Sequence, residues 1–183
     1  EISACLVGSE MCIRDSITST LLEEDGYSAI AMGRMNAKGC FCSVNDLLKD
    51  ALEQLVLKFD TIVVDGEAGL EQINRQVVEK INTLILVTDS SYRGVQTVHH
   101  IEELVKNGAV PYCESIGVVF NRVQGDNRSA DELQAAVGLP VLGVVPYDPT
   151  LQEYDAKGKS LLELPDNTVA LACVDEVINK VFR

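Results

Sequence analysis

Apolar and polar positions follow two rhythms along this chain. Unbroken apolar runs of four to six residues read as strands buried on both faces, and stretches with apolar residues three and four apart read as helices. From Ile17 the order is as follows. Ile17 to Glu24 predicts a short helix, stopped by Asp25-Gly26, and Tyr27 to Met32 a strand. A loop through Cys42 leads to a helix that Ser43 caps and that runs to Lys58, with Leu47, Leu48, Ala51, Leu52 and Leu55 on one face. Thr61 to Val64 predicts a buried strand, Leu70 to Ile81 a helix, and Thr83 to Val87 another buried strand. Ser90 or Ser91 opens a helix with Val95, Val98, Ile101 and Val105 inward. Ser115 to Phe120 is a strand, Ala130 to Val137 a helix closed by Gly138, and Val141 to Val145 the last strand. Helices over Thr150 to Ala156 and Asn167 to Phe182 complete the pattern. Five apolar strands separated by helices predict an α/β fold, a mostly parallel sheet with helices on both faces, forming one domain over residues 17–183.

The runs end on Gly33-Arg34, Asp65, Asp89, Asn121-Arg122 and Pro146-Tyr147-Asp148. In an open α/β sheet these positions share the carboxyl edge, where ligands bind. Every strand must end on something polar, so the residue types carry the inference. Asp65 is followed by Gly66 and Gly69; the carboxylate can hold a magnesium ion through water, and glycine lets a backbone N–H approach a phosphate closely. The Asn121 amide can pair two hydrogen bonds with an adenine edge. The combination points to a nucleotide.

Composition narrows the partners. The chain has 183 residues, 46% hydrophobic and 23% charged, enough for a real core. A formal net charge of -13 without a basic cluster argues against nucleic acid and anionic membrane as partners. No apolar run approaches the roughly 18 residues that span a bilayer. The six cysteines do not form a secreted disulfide framework, so a cytoplasmic location with reduced thiols is expected. Glu1 to Ser16, above all Ser9-Glu10-Met11-Cys12-Ile13-Arg14-Asp15-Ser16, resembles a translated sequencing adapter; a signal peptide would have a basic start and an uninterrupted apolar stretch. With those residues set aside, 14 basic face 25 acidic residues and four cysteines remain. Cys40 and Cys42 could supply half of a tetrahedral sulfur site that a twofold dimer completes, or be ordinary loop thiols. Cys113 and Cys173 lie in apolar segments and read as packed thiols. His99 and His100, adjacent on a helix, diverge by ~100° and cannot share a metal ion.

Asp65-Gly66-Glu67-Ala68-Gly69-Leu70-Glu71 resembles the switch II segment of the deviant-Walker, MinD-like and ParA-like P-loop ATPases. Glu67-Ala68-Gly69 followed by Asn74-Arg75 is most similar to the nickel-insertion ATPases that mature carbon monoxide dehydrogenase. Met32-Gly33-Arg34 and Gly39-Cys40-Phe41-Cys42-Ser43-Val44-Asn45 resemble that subfamily's preceding loop, and the likeness extends over residues 17–183. The resemblance implies that Asp65 holds the magnesium-bound water and that the Gly69 N–H senses the γ-phosphate. It implies that Asn121 reads adenine, with Arg122, Pro146, Tyr147 and Asp148 on the base side. Cys40 and Cys42 would bind nickel or zinc. The implied cofactors are ATP and magnesium, the implied assembly a homodimer, and the implied client carbon monoxide dehydrogenase or acetyl-CoA synthase. One departure stands out: no Gly-x-x-x-x-Gly-Lys-[Ser/Thr] loop occurs, so a P-loop strand is expected upstream of Ile17 and catalysis by this chain alone is not. The family's sheet sets that strand between the Asp65 and Thr83 strands, which should therefore leave a gap or pair directly. Two other readings stay open. One is a partition or septum-positioning ATPase, although the mixed charges Asp175, Glu176, Lys180 and Arg183 do not make a basic amphipathic face. The other is a non-catalytic metal-binding α/β module.

Overall fold

The computed structural model describes residues 22–24, 26–30, 52–53, 55–66, 80–110, 112–125 and 128–182. The chain divides into two compact units, residues 1–78 and 79–183.

In the first unit, β1 (Leu22–Glu24) and β2 (Tyr27–Ala29) form an antiparallel hairpin with Leu22 opposite Ala29. This corrects the expected helix at Leu22 to Glu24, the only part of it within the described residues. Asp-Gly stops a helix, but it is also a preferred two-residue hairpin turn, and Gly26 at φ 89° adopts the left-handed backbone that such a turn needs. The expected strand from Tyr27 thus exists but pairs antiparallel. Residues 52–53 and 55–56 are helical, with Leu55 buried and its carbonyl accepting from the Lys58 and Phe59 N–H groups. The run 61–66 lies outside any strand, with Val63 86% and Val64 53% exposed. The expectation of a buried strand there is corrected: apolar β-formers become a strand only when neighbouring strands take up their N–H and C=O groups.

The second unit carries the core. Its order is β3 (Lys80–Thr88), α1 (Tyr92–Lys106), β4 (Tyr112–Val123), α2 (Ala130–Val137), β5 (Val141–Pro146), α3 (Pro149–Ala156), a 3₁₀ turn (Leu161–Glu163) and α4 (Val169–Val181). Strands β3, β4 and β5 are parallel and adjacent in that order, joined by crossover helices. Lys80 and Ile81, expected to close a helix, instead begin β3, because they pair with Tyr112 and Cys113. Local periodicity could not anticipate that ladder.

Alternation along β4 divides the core. Val118 and Phe120, both fully buried, point to one face with Leu86, where Val95 and Val98 of α1 and Leu133 and Val137 of α2 cover them. Val119 points to the other face and packs with Val145 and with Ala170 and Val177 of α4. Helices on both faces are as expected. Local signals set the helix ends. Ser129 and Glu132 make a reciprocal capping box at the start of α2, and Gly138, at φ 69°, ends it in the left-handed conformation. Among the described residues no helix is long and apolar enough to cross a membrane.

Candidate functional site

The carboxyl ends of β3, β4 and β5 form a polar rim, and hydrogen bonds to main-chain groups fix each connection. At the end of β3, Asp89 Oδ1 accepts from the Ser91 N–H at 3.0 Å and the Ser91 hydroxyl at 2.5 Å. The Ser91 hydroxyl oxygen in turn accepts from the Gly94 N–H at 3.0 Å, capping α1. The Ser91 hydroxyl and then its N–H hold the Asp89 carboxyl below its ordinary value of 3.8, against a small opposing effect of burial. Arg128, just before α2, donates to the Ser90 carbonyl at 2.5 Å and so ties two connections of the rim together.

At the end of β4 the ladder slips. Phe120 pairs with Val144 and Val123 with Pro146, so Asn121 and Arg122 together oppose Val145. This is a bulge of two residues against one. Arg122 has φ 57°, the only positive φ outside glycine among the described residues. Its N–H donates to Asn121 Oδ1 at 2.9 Å. Beyond the bulge the Tyr147 N–H donates to the Val123 carbonyl at 2.9 Å, so the Pro146-Tyr147 turn is fastened to β4.

Asp148 follows and starts two helices. Its Oδ1 accepts from the Thr150 and Leu151 N–H groups at 2.9 and 3.4 Å, and its Oδ2 from the Ala170 N–H of α4 at 3.3 Å. Partial desolvation works to raise the Asp148 pKa, but the N–H groups of Ala170, Thr150 and Leu151 outweigh it and leave the carboxyl below its ordinary value. A carboxylate committed to three main-chain donors holds the loop in shape, whatever else it meets.

The five residues expected on the base side, Asn121, Arg122, Pro146, Tyr147 and Asp148, are therefore brought together on adjacent strand ends of the second unit. Asp65 lies in the first unit, exposed in the run 61–66. Gly69, Cys40 and Cys42 lie outside the described residues. Among the described residues no group of three or more His, Cys, Asp or Glu side chains is placed to hold a metal ion. Cys113 and Cys173 behave as packed thiols. Burial pushes both upward; for Cys173 the Glu176 carboxylate adds to the effect, and for Cys113 hydrogen bonds with Leu84 and Ser115 oppose it. His99 is spoken for by the α2 carbonyl of Ala136, 3.2 Å away. Sequence reasoning missed the Arg128 tie and the left-handed Arg122. It also passed over Gly94, although a glycine in the first turn of an otherwise helical pattern marks a close approach.

Residues 24–162 match the family model described as the CobQ/CobB/MinD/ParA nucleotide binding domain. Over 172 residues the chain is 34% identical to an uncharacterized ATP-binding protein of Methanocaldococcus jannaschii, which covers 93% of this chain and 68% of that protein. It is 26% identical over 146 residues to the carbon monoxide dehydrogenase accessory protein CooC of Rhodospirillum rubrum, covering 78% of this chain and 54% of the relative. The chain thus spans between about half and two thirds of the length of these relatives. Its fold resembles the septum site-determining protein MinD of Pyrococcus horikoshii, solved with Mg-ADP, with a TM-score of 0.69 and 16% identity over 99% of this chain and 74% of that one.

Proposed function

The chain belongs to the CobQ/CobB/MinD/ParA nucleotide-binding family, and on that premise we propose that its carboxyl-edge rim takes the adenine end of ATP in an ATPase that delivers nickel to carbon monoxide dehydrogenase or acetyl-CoA synthase. The observation that carries the nucleotide half is the rim itself, where the Asn121 amide and the Pro146-Tyr147 turn are fastened to the same end of β4. The donors present fit a purine. Asn121 offers an acceptor and donors side by side, and the Pro146-Tyr147 turn, held to β4 through the Tyr147 N–H, stands beside it. Asp65 is assigned the magnesium-bound water and the Gly69 N–H the γ-phosphate. ATP would supply a phosphoanhydride whose hydrolysis drives a conformational cycle; the rim's part is to bind and orient. Cys40 and Cys42 are assigned nickel or zinc, one pair from each copy of a homodimer. Similarity to the Rhodospirillum rubrum accessory protein supports the maturation role.

A second reading, a positioning ATPase without bound metal, is favoured by the likeness to a MinD fold. Metal content separates the two. Purified protein and the Cys40→Ser/Cys42→Ser variant, each with and without magnesium-ATP, are analysed for nickel and zinc by mass spectrometry. The metallochaperone reading expects about one metal ion per dimer, lost in the double variant. Metal-free wild-type protein supports the positioning reading, and metal content indifferent to ATP supports a non-catalytic metal-binding module. A wild-type chain that binds no adenine nucleotide in calorimetry removes the nucleotide half.

A further inference from the structure

The β4 bulge sits where the core meets the rim. Side chains on a strand alternate, so an unbroken β4 would point Arg122 to the same face as Phe120, into the apolar layer under α1 and α2. It would also turn Val123 away from that layer, to the face of Val119. Instead Val123 packs against the Phe120 cluster and Arg122 is exposed. The extra residue keeps a guanidinium out of the core while restoring a valine to it. That explains a bulge, but not its particular form. The turn is made by an arginine at φ 57°, a backbone conformation L side chains seldom adopt, and such outliers gather at sites where the geometry is used.

Here the geometry is used on the neighbouring amide. In this backbone the Arg122 N–H points at the Asn121 side chain, 2.9 Å from Oδ1. A main-chain N–H can only donate, so the oxygen end of the amide must face it, and the NH2 end is turned the other way. One Oδ1 lone pair remains. The amide is thereby held as a fixed acceptor-and-donor edge, which matches the N6 amino and N7 of adenine. Guanine presents two acceptors, N7 and O6, at the same edge. A freely rotating amide could turn its NH2 toward either purine; a locked one cannot. We infer that Arg122 is a positioning residue that sets adenine-over-guanine selectivity through its left-handed backbone, by locking the Asn121 amide. This rests on the nucleotide reading above.

The test compares backbone-compatible with backbone-incompatible replacements in the full chain. Arg122→Gly and Arg122→Asn tolerate the left-handed region, whereas the β-branched Arg122→Val does not. Binding of magnesium-ATP and magnesium-GTP is measured by calorimetry for each, together with thermal unfolding. Wild type should prefer ATP by about tenfold or more, the lower part of the range for one paired amide–base contact. Glycine and asparagine should keep that ratio whatever they lose in absolute affinity, and valine should bring it close to unity. Valine retaining the ratio overturns the inference. So does a loss of the ratio in glycine and asparagine as well, since the guanidinium would then be the selective group. If wild type binds neither nucleotide, the functional reading falls, and the lock is judged by NMR. One sharp pair of Asn121 side-chain NH2 signals in wild type, glycine and asparagine, but broadened in valine, upholds it; the same signals in all four overturn it.

Discussion

Adding one methyl group at Gly94 should destabilise this protein, although a glycine-to-alanine change inside a helix ordinarily helps by about 1 kcal/mol. Gly94 lies in the first turn of α1, pressed onto the end of β3. A Cβ there would stand 2.5 Å from Asp89 Oδ1, 2.5 Å from Thr88 Oγ1 and 2.7 Å from the Asp89 main-chain oxygen. Comfortable contact begins at roughly 3.5 Å. The threonine hydroxyl can rotate away at little cost. The carboxylate can leave only by giving up its bonds to Ser91, and a lost helix cap costs about 1 kcal/mol. The main-chain oxygen has no such freedom, so α1 or the end of β3 must shift, and overpacking of this kind costs about 1–3 kcal/mol. Set against the helix-propensity gain, the net is about 1–3 kcal/mol of lost stability, or ~2–10 °C in melting temperature for a chain of this size. Circular dichroism melts of wild type and Gly94→Ala measure it, with Gln96→Ala on the exposed side of the same helix as the propensity control. If Gly94→Ala melts at or above wild type while Gln96→Ala is neutral, α1 is not seated on the Thr88-Asp89 turn.

Two further outcomes follow from the same geometry. Phe120 is fully buried directly before Asn121, so Phe120→Ala should cost about 3–5 kcal/mol by urea unfolding and weaken ATP binding more than its distance from solvent suggests, because it anchors the bulge. Asp89 has a carboxyl held below 3.8 in the folded chain, so its ionised form contributes stability that is complete above that value and lost as the pH falls through the lower, folded value. Asp89→Asn should therefore be less stable than wild type at pH 7, with the gap closing below about pH 3.8 in urea titrations at stepped pH; a gap that is constant down to pH 2.5 would mean the charge has no part in the cap.

Legibility from the residues varied with how local the deciding interaction was. The α2 helix came out at Ala130 to Val137 as read, because Ser129, Glu132 and Gly138 carry its start and stop within the helix's own neighbourhood. Ser91 did the same for α1. The three parallel strands were found from their apolar runs, but each is longer than its run, since ladder pairing recruits polar flanks such as Lys80 and Asn82 that hydropathy leaves out. Leu22 to Glu24 was read as helix because Asp-Gly serves two kinds of stop, and only pairing with Tyr27 to Ala29 chooses between them. The run Thr61 to Val64 has strand composition without being a strand.

At the rim the division is similar. The residue types at the strand ends, an asparagine, a proline-led turn and aspartates, were visible in the chain, and with them the nucleotide reading and the family. What the residues could not disclose is how those types are held. Asp148 was expected at the base and proves to tie the starts of α3 and α4 together through Thr150, Leu151 and Ala170. Arg122 was expected on the base side and turns out to carry a left-handed backbone at a bulge that returns Val123 to the Phe120 face. Chemical identity and short-range caps are properties of neighbours along the chain and can be read there. Register, bulges and shared hydrogen bonds depend on partners brought in from other elements, such as Val123 with Pro146 and Asp148 with Ala170, and are settled only when those elements meet.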